Sequence, residues 1–491
     1  MVKTNKSKNH RNSKDKGNIR GAERARKIDA STQYETCSEQ LSPFGGLLAM
    51  IKFFDLIGFK ELFHAAYCEP VRKPKLGHYS MVVGLLMLLF IGFNRIWHFT
   101  YIRLDAILCG FFRLPKLPVA STFWRYLDSM GINQAHSLLK MMGLLRERVW
   151  QQLDLNYSRI CVDIDTTVET LYGNQQGGRK GHNTKHRGKK GYRPVLCFIE
   201  QTREYLIGKL RKGETISGKH TADFIYRIKA HLPGCVQQVL LRADGEFQSW
   251  KSIQAAMQCG FDFIIANKRC DPPFEGDAWY QPWKRKDFEF NSCIYQPFGW
   301  EAPCRFVVMR IPKIQSTPNR QEQCVLFEED NYTYRIFCTS LSTPAHNVIG
   351  EYDKRADVEN LVGEAKREGL DAVPSAKFKN NYAFFQLVML SYNIWRYMKL
   401  LAAKSQEKKE RKENASLKTV TSNTIRIARL KMLLIAAKVV RDQNRDKVKY
   451  SIHEARTPVM IRFLEFLDKA RLKPKPWASE VMWPQSFALE T

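Results

Sequence analysis

No apolar run in this 491-residue chain is long enough to cross a membrane. The longest, Met81 to Phe93, falls short of the roughly 20 residues a spanning helix needs, and Asn94 and Arg95 follow it at once. A buried helix is the expected form. An apolar secretory core is missing from Met1 to Lys27, a basic and polar stretch, so a cytoplasmic protein is expected. The 12 cysteines include no Cys-x2-Cys pair, and no His/Cys cluster has zinc-like spacing. That excludes the common zinc modules and leaves reduced thiols, mostly interior. No internal repeat is present. Acidic residues are scarce, with 49 Asp plus Glu against 78 Lys plus Arg and a formal net charge of +29.

Such a charge favours a polyanionic partner, nucleic acid above all. The chain is no basic tail, because 44% hydrophobic and 12% aromatic content is enough to bury large cores. Its length allows two to four structural units. The most informative segment runs from Tyr352 to Lys366. At about 100° per helical residue, Tyr352, Arg355, Glu359 and Lys366 fall within an arc of about 60° and share one face. A face of phenol, guanidinium, carboxylate and ammonium has no apolar content and is expected to meet a phosphate and a metal, not a core. Asp353, Asp357, Glu364 and Glu368 project away from it, leaving Glu359 between the cations. Taken alone, such a face is ordinarily a solvated surface of salt bridges.

Two further acids stand upstream in strand-like settings. Ile160-Cys-Val-Asp163-Ile-Asp165-Thr-Thr-Val alternates apolar and polar residues, so Asp163 and Asp165 are expected on one side of a strand. Val239-Leu-Leu-Arg-Ala-Asp244-Gly-Glu-Phe reads as a buried strand opening into a loop, with Asp244 at its carboxyl end.

The spacing Y-x2-R-x3-E-x6-K resembles the signature of bacterial insertion-sequence transposases that use an Asp-Asp-Glu triad. The order of all three segments agrees. The resemblance implies an α+β fold, a ribonuclease-H-like core interrupted by a β-rich insertion, with an all-helical N-terminal domain and a helical C-terminal region. It implies Asp165 as first triad member, since small hydroxyl residues commonly follow that Asp, with Asp163 as the alternative. Asp244 would be second and Glu359 third. The usual R-A-D-x-G-F wording departs here to Arg242-Ala-Asp244-Gly-Glu-Phe, displacing the Gly by one.

Converging carboxylates repel one another unless a divalent cation relieves them. Mg²⁺, for which Mn²⁺ can substitute, suits oxygen ligands, and two such ions support in-line displacement at phosphorus. The implied activity is DNA strand cleavage and transfer at terminal inverted repeats. Partners would be those repeats, target DNA and a second copy of the chain, at the nucleoid and away from membranes. Tyr352, Arg355 and Lys366 would contact the DNA backbone.

Residues 1–40 form a basic arm expected to order only on DNA. A helical DNA-binding domain is expected over 41–155. Within it Pro118 to Leu127 reads as an N-capped helix, whose Ser121, Thr122 and Arg125 either touch DNA or serve structure. The catalytic core spans 156–270 and 346–403, and a β-rich subdomain is inserted over 271–345. The 114 residues between Asp244 and Glu359 require that insertion. Its strands are expected at Phe288–Phe290, Arg305–Arg310, Gln323–Phe327 and Tyr334–Thr339. Residues 404–491 form a charged linker and a helical region, with one amphipathic helix expected from Ile425 to Arg441.

The loop from Gly177 to Arg193 packs glycines with Arg179, Lys180, Lys185, Arg187, Lys189 and Lys190, and either grips DNA or is an exposed hairpin. His182 and His186 within it face DNA or solvent rather than a metal. Trp279, Trp283 and Trp300 are candidates to stack on an extruded base, or are packing residues. Competing functions are a non-catalytic DNA-binding protein and a metal-dependent nuclease with the same core.

Overall fold

A computed structural model of the protein describes residues 28–181, 183, 186–215, 218, 220–283, 287–312, 332–407 and 423–470. Residues Met1–Glu39 and Gln40–Thr491 form two separate compact units. The basic arm up to Lys27 lies outside the described residues, as do Lys185, His182, the strand expected at Gln323–Phe327 and most of the linker after Glu407. In the first unit the Asp29 carboxylate accepts the Ser31 backbone N–H at 2.9 Å, closing a short turn.

The second unit opens with β1 (Gln40–Ser42) and seven helices: α1 (Leu47–Leu56), α2 (Phe59–Ala66), α3 (Gly77–Phe90), α4 (Phe99–Ile102), α5 (Ala106–Phe112), α6 (Ala120–Ser129) and α7 (Ile132–Leu153). Helix α3 is the long apolar run. It has no polar side and is buried nearly all round, as such a sequence requires. No helix among the described residues is long and apolar enough to cross a membrane.

Eleven strands follow: β2 (Arg159–Thr166), β3 (Glu169–Thr170), β4 (Arg179–Lys180), β5 (Lys190–Tyr192), β6 (Val195–Ile199), β7 (Glu204–Lys209), β8 (Gln238–Ala243), β9 (Asp262–Ala266), β10 (Glu289–Tyr295), β11 (Cys304–Pro312) and β12 (Tyr332–Thr339). Eight of them build the central sheet in the order β10-β11-β12-β9-β8-β2-β6-β7. Strands β2, β8 and β9 run parallel, and the other neighbours are antiparallel. The parallel connections are made by helices α8 (Thr221–Ala230) and α9 (Trp250–Gln258), which lead into β8 and β9. The protein is therefore mixed α+β.

Among the described residues the β-rich segment does not build a sheet of its own. Strand β12 pairs with β9 (Phe337 with Ala266, Thr339 with Ile264), so β10 to β12 extend the central sheet. An unpaired β9 edge would leave buried N–H and C=O groups unsatisfied, and the insertion supplies their partners.

Helices α10 (Ala345–Asp353), α11 (Ala356–Ala365) and α12 (Phe378–Glu407) come next. Helix α12 is what fuses the N-terminal helices to the sheet in one core. Its Trp395 stacks on Phe90 of α3 at 4.1 Å between ring centroids. The Asn393 amide accepts the Tyr205 N–H of β7 at 2.9 Å and donates to the Tyr205 carbonyl at 2.8 Å. From α7, buried Arg146 and Trp150 both reach the Glu204 carboxylate, at 2.9 and 2.8 Å. Each large apolar side chain buried along this seam stabilises the fold by about 1.5–3 kcal/mol.

The C-terminal region differs from the expected single helix. Helix α13 (Ile425–Met432) stops, and Ala437–Asp442 forms β13, pairing with β14 (Arg445–Tyr450) and β1 before α14 (Thr457–Lys469). The helix cannot continue because the Leu433 and Ile435 carbonyls accept the Gly46 and Gly45 N–H groups at 3.1 and 2.8 Å. Beyond it, Val439 and Val440 suit a strand.

Candidate active site

Strands β2 and β8 are paired parallel with Asp163 opposite Arg242 and Ile164 opposite Ala243. One more step of that register sets Asp165 beside Asp244 at the carboxyl ends of adjacent strands, a usual location for function in such sheets. Both carboxylates line a cleft of about 560 Å³. Its other walls include Arg95, Thr166, Thr167, His186, Arg193, Glu246, Lys366 and Asp371.

Asp163 and Asp165 share a side of β2, as expected, but Asp163 does not reach the cleft. It is 3% exposed, and both its oxygens are taken by Arg242, at 2.7 and 2.8 Å. Arg242 also reaches Glu200 at 3.0 Å and donates to the Glu351 carbonyl at 2.7 Å, tying α10 to the strand ends. Asp163 belongs to this buried ion pair beneath the site.

Asp244 opens the 3-10 turn Gly245–Phe247, and its carboxylate accepts the Glu246 N–H at 2.7 Å. A Cβ on Gly245 would stand 2.5 Å from the Lys268 stem, which explains the Gly directly after the acid. Asp165 accepts from Arg355 at 3.1 Å. Its carboxyl is pushed up to about 6, first by burial and then by the like charge of Asp244, with Arg355 opposing.

That shift has a stability consequence. The folded state holds the Asp165 proton below about pH 6, and its contribution is lost as pH rises through that value. Asp165→Asn is therefore expected to raise Tm by several degrees at pH 7.5 and to change it little at pH 4.5. Equal shifts at both pH values would show that the carboxyl is not strained by ionisation.

The signature segment is not one continuous helix. Helix α10 ends at Asp353, Arg355 stands at the N-cap of α11, and Lys366 opens a π-helical turn whose Gly369 has φ of 123°. Nor is this a solvent face. Arg355 is 6% exposed and also donates to the Ile164 carbonyl at 2.9 Å, while Tyr352 packs on Phe337 at 4.5 Å. Lys366 donates to the Val168 carbonyl at 2.7 Å and stands 3.7 Å from Asp371. Arg355 and Lys366 thus anchor α11 at two points along the end of β2. Between them Glu359, one turn after Arg355, is exposed and does not line the cleft. Among the described residues no three His, Cys, Asp or Glu side chains cluster closely enough to hold a metal ion.

Much of the glycine-rich loop is paired among the described residues. Strands β3, β5 and β4 form a small sheet, and a Cβ on Gly181 or Gly213 would stand 2.1 Å from a facing backbone oxygen. The glycines let strands approach. Arg179, Lys180, Arg187, Lys189 and Lys190 are exposed around it, and none lines the cleft. Arg179 stands 3.5 Å from Glu214. Buried Asn183 donates to Thr170 at 3.1 Å and accepts the His186 N–H at 3.0 Å, placing His186 at the cleft wall.

In α6 the N-cap position is Val119 with no side-chain cap, so Ser121 does not cap the helix. Arg125 is exposed there and reaches Thr122 at 3.4 Å. Of the tryptophans, Trp279 lies under the Arg310 guanidinium at 4.0 Å, and Trp300 packs with Trp250 and Phe306. Trp283 is 85% exposed.

Sequence reasoning did not single out Arg95, Arg193, Glu246 or Asp371 as cleft residues. Glu246 and Asp371 had a signal, two residues after Asp244 and five after Lys366. Arg95 had none, since it comes from the helical region. Glu169 was also missed. It is buried beside the cleft wall with Oε1 lacking a hydrogen-bond partner among the described residues, and burial pushes its carboxyl well up.

The fold is thus mixed α+β, with two aspartates at adjacent strand ends and an arginine bonded to one of them. The family described as Transposase DDE domain group 1 matches residues 24–472, so the chain belongs to that family and is a transposase. Among curated proteins none matches. The chain is similar to the piggyBac transposase in its synaptic complex with hairpin DNA, at 10% identity and a TM-score of 0.40, over 89% of this chain and 87% of that one. It is also similar to the Mos1 transposase in its paired-end complex with the left transposon end, at 10% identity and a TM-score of 0.16, over 40% of this chain and 60% of that one.

Proposed function

We propose that this transposase cleaves DNA at the terminal inverted repeats of an insertion sequence and joins the freed ends to target DNA. The observation that carries the reading is the juxtaposition of Asp165 and Asp244 in one polar cleft. The sheet supports it too. Strands β2, β6, β7, β8 and β9, numbered one to five, lie in the order 3-2-1-4-5, with β8 and β9 parallel to β2, the arrangement of a ribonuclease-H-like core.

The residues present fit a divalent cation, Mg²⁺ or Mn²⁺, in part. Asp165 and Asp244 are all-oxygen donors whose repulsion a cation relieves, and Mg²⁺ commonly takes one or two carboxylates and completes its shell with water and phosphate. When bound, it would activate the attacking oxygen and stabilise the leaving one. Asp165 and Asp244 would hold it, and Arg355 orients the Asp165 carboxylate. Lys366 and Arg95 bring positive charge to a phosphate in the cleft, while Tyr352 and the cations around the small sheet serve the DNA backbone. Glu359 is the third acid in this reading, and it must enter from its exposed position between the two anchors. Two copies of the chain pair the two element ends, acting at the nucleoid.

The test is cleavage of a duplex carrying the element's terminal repeats by wild type and Glu359→Gln. The variant should lose roughly a hundredfold or more in rate, a barrier increase of about 3 kcal/mol, with DNA affinity retained. Unchanged cleavage would remove Glu359 from the triad and turn attention to Asp371 and Glu246, which already line the cleft. Flanking inverted repeats bounded by a short direct duplication should accompany the reading frame. A nuclease would lack them.

A further inference from the structure

The β13–β14 hairpin carries charge that the catalytic reading does not use. Five of its residues between Ala437 and Tyr450 are Lys or Arg, against two acids. The strand register sorts them by face. Ala437 with Tyr450, Val439 with Val448 and Arg441 with Asp446 share one side, and the apolar members of that side pack on the core. Lys438 with Lys449, Val440 with Lys447 and Asp442 with Arg445 share the other, where Arg445, Lys447 and Lys449 are exposed. Lys447 is matched by Asp442 at 2.8 Å, which leaves the face with a cationic excess.

The ribbon is also held rigidly. Besides the Gly45 and Gly46 bonds to α13's exit, the Tyr450 hydroxyl donates to the Gly45 carbonyl at 2.9 Å. A Cβ on Gly46 would stand 2.0 Å from the Met432 carbonyl oxygen, so only glycine permits this seating. At the tip Gln443 and Asn444 take φ of 47° and 59°, closing a two-residue turn whose Asn444 is exposed. Strand β14 is the sheet's edge, so nothing in the sheet flanks it on its outer side.

We propose that this hairpin is a DNA-contacting ribbon separate from the catalytic cleft. Lys438, Arg445 and Lys449 seat against phosphates, and the Gln443 and Asn444 amides at the tip meet a groove. The proposal rests on the reading of DNA as substrate. The major groove admits a two-stranded ribbon, and amides can donate to and accept from base edges, so the combination fits duplex DNA better than a featureless anionic surface.

The test uses the full chain with Lys438→Gln, Arg445→Gln and Lys449→Gln combined, titrated against duplex DNA over a salt series by fluorescence anisotropy. Affinity at fixed salt should drop at least tenfold. The slope of log affinity against log salt should flatten by about 0.9 for each phosphate no longer neutralised, up to about 2.7. The melting temperature should stay the same, because the substituted side chains lie on the face turned away from the core. A second variant, Gln443→Asn with Asn444→Gly, preserves the turn; it should reduce discrimination between terminal-repeat and random duplex while leaving the slope unchanged. A folded triple variant with wild-type affinity and slope overturns the proposal. So does equal weakening toward poly-glutamate and DNA with an inert tip, which would make the ribbon a general polyanion surface. Failure of the catalytic reading has a different signature, cleavage by Asp244→Asn, and leaves these binding results unaffected.

Discussion

Asp244→Asn is expected to lower divalent-metal-dependent DNA nicking about a thousandfold while leaving DNA affinity unchanged or slightly higher. The substitution is nearly isosteric, and the amide oxygen can still accept the Glu246 N–H that the carboxylate now accepts at 2.7 Å. The turn that carries residue 244 should therefore persist. What disappears is one of the two carboxylates that the adjacent strand ends bring to the cleft. Losing several kcal/mol of charge stabilisation at a phosphoryl-transfer site corresponds to a factor of that size. Binding should be spared because the phosphate contacts are proposed to come from cations elsewhere, and one fewer negative charge in the cleft should help slightly.

A second readout separates chemistry from folding. With the Asp244 charge gone, the Asp165 carboxyl, now near 6, should titrate lower, because one of the influences raising it is removed. Plasmid nicking, anisotropy and carboxyl-detected NMR together check the prediction. Wild-type nicking by the variant would exclude the site assignment altogether.

Arg242→Ala should destabilise the protein by about 3–5 kcal/mol, because removing the cation alone leaves an uncompensated buried carboxylate, which is far worse than losing both partners. Arg242 is fully buried, and its guanidinium covers both oxygens of Asp163, itself 3% exposed. Asp163→Asn with Arg242→Met should recover most of the loss, since a neutral pair of similar volume carries no stranded charge. Urea unfolding of the three proteins tests this. If Arg242→Ala does not fold, Asp163→Asn alone, expected to cost less, still supplies the comparison. A loss under about 1 kcal/mol for Arg242→Ala would mean that water reaches Asp163 and that the ion pair is not shielded as its burial implies.

The same network explains why one part of the site was legible and another was not. Alternation along Ile160 to Val168 correctly placed Asp163 and Asp165 on one side of a strand. It could not tell which of them an arginine would claim. That depended on Arg242 standing opposite Asp163 in the parallel register, a pairing between segments some eighty residues apart. Likewise the helical spacing of Tyr352, Arg355, Glu359 and Lys366 grouped side chains that three of the four keep near the end of β2. It missed the break at Lys354–Arg355 and the burial of Arg355, both of which follow from α11 docking on the end of β2.

The C-terminal stretch from Ile425 shows the opposite case. Its apolar spacing suits a helix as far as Met432, but backbone bonds from Gly45 and Gly46, nearly four hundred residues earlier, end it there. Local sequence determined most of the elements before Ile425, the transposase family and the strand settings of the aspartates, because these depend on side-chain periodicity and on motifs read within a few residues. Tertiary structure alone decided which acid meets which cation, which residues wall the cleft and where Glu359 rests. Those outcomes turn on strand register and on backbone groups contributed by distant segments, and periodicity carries no record of either.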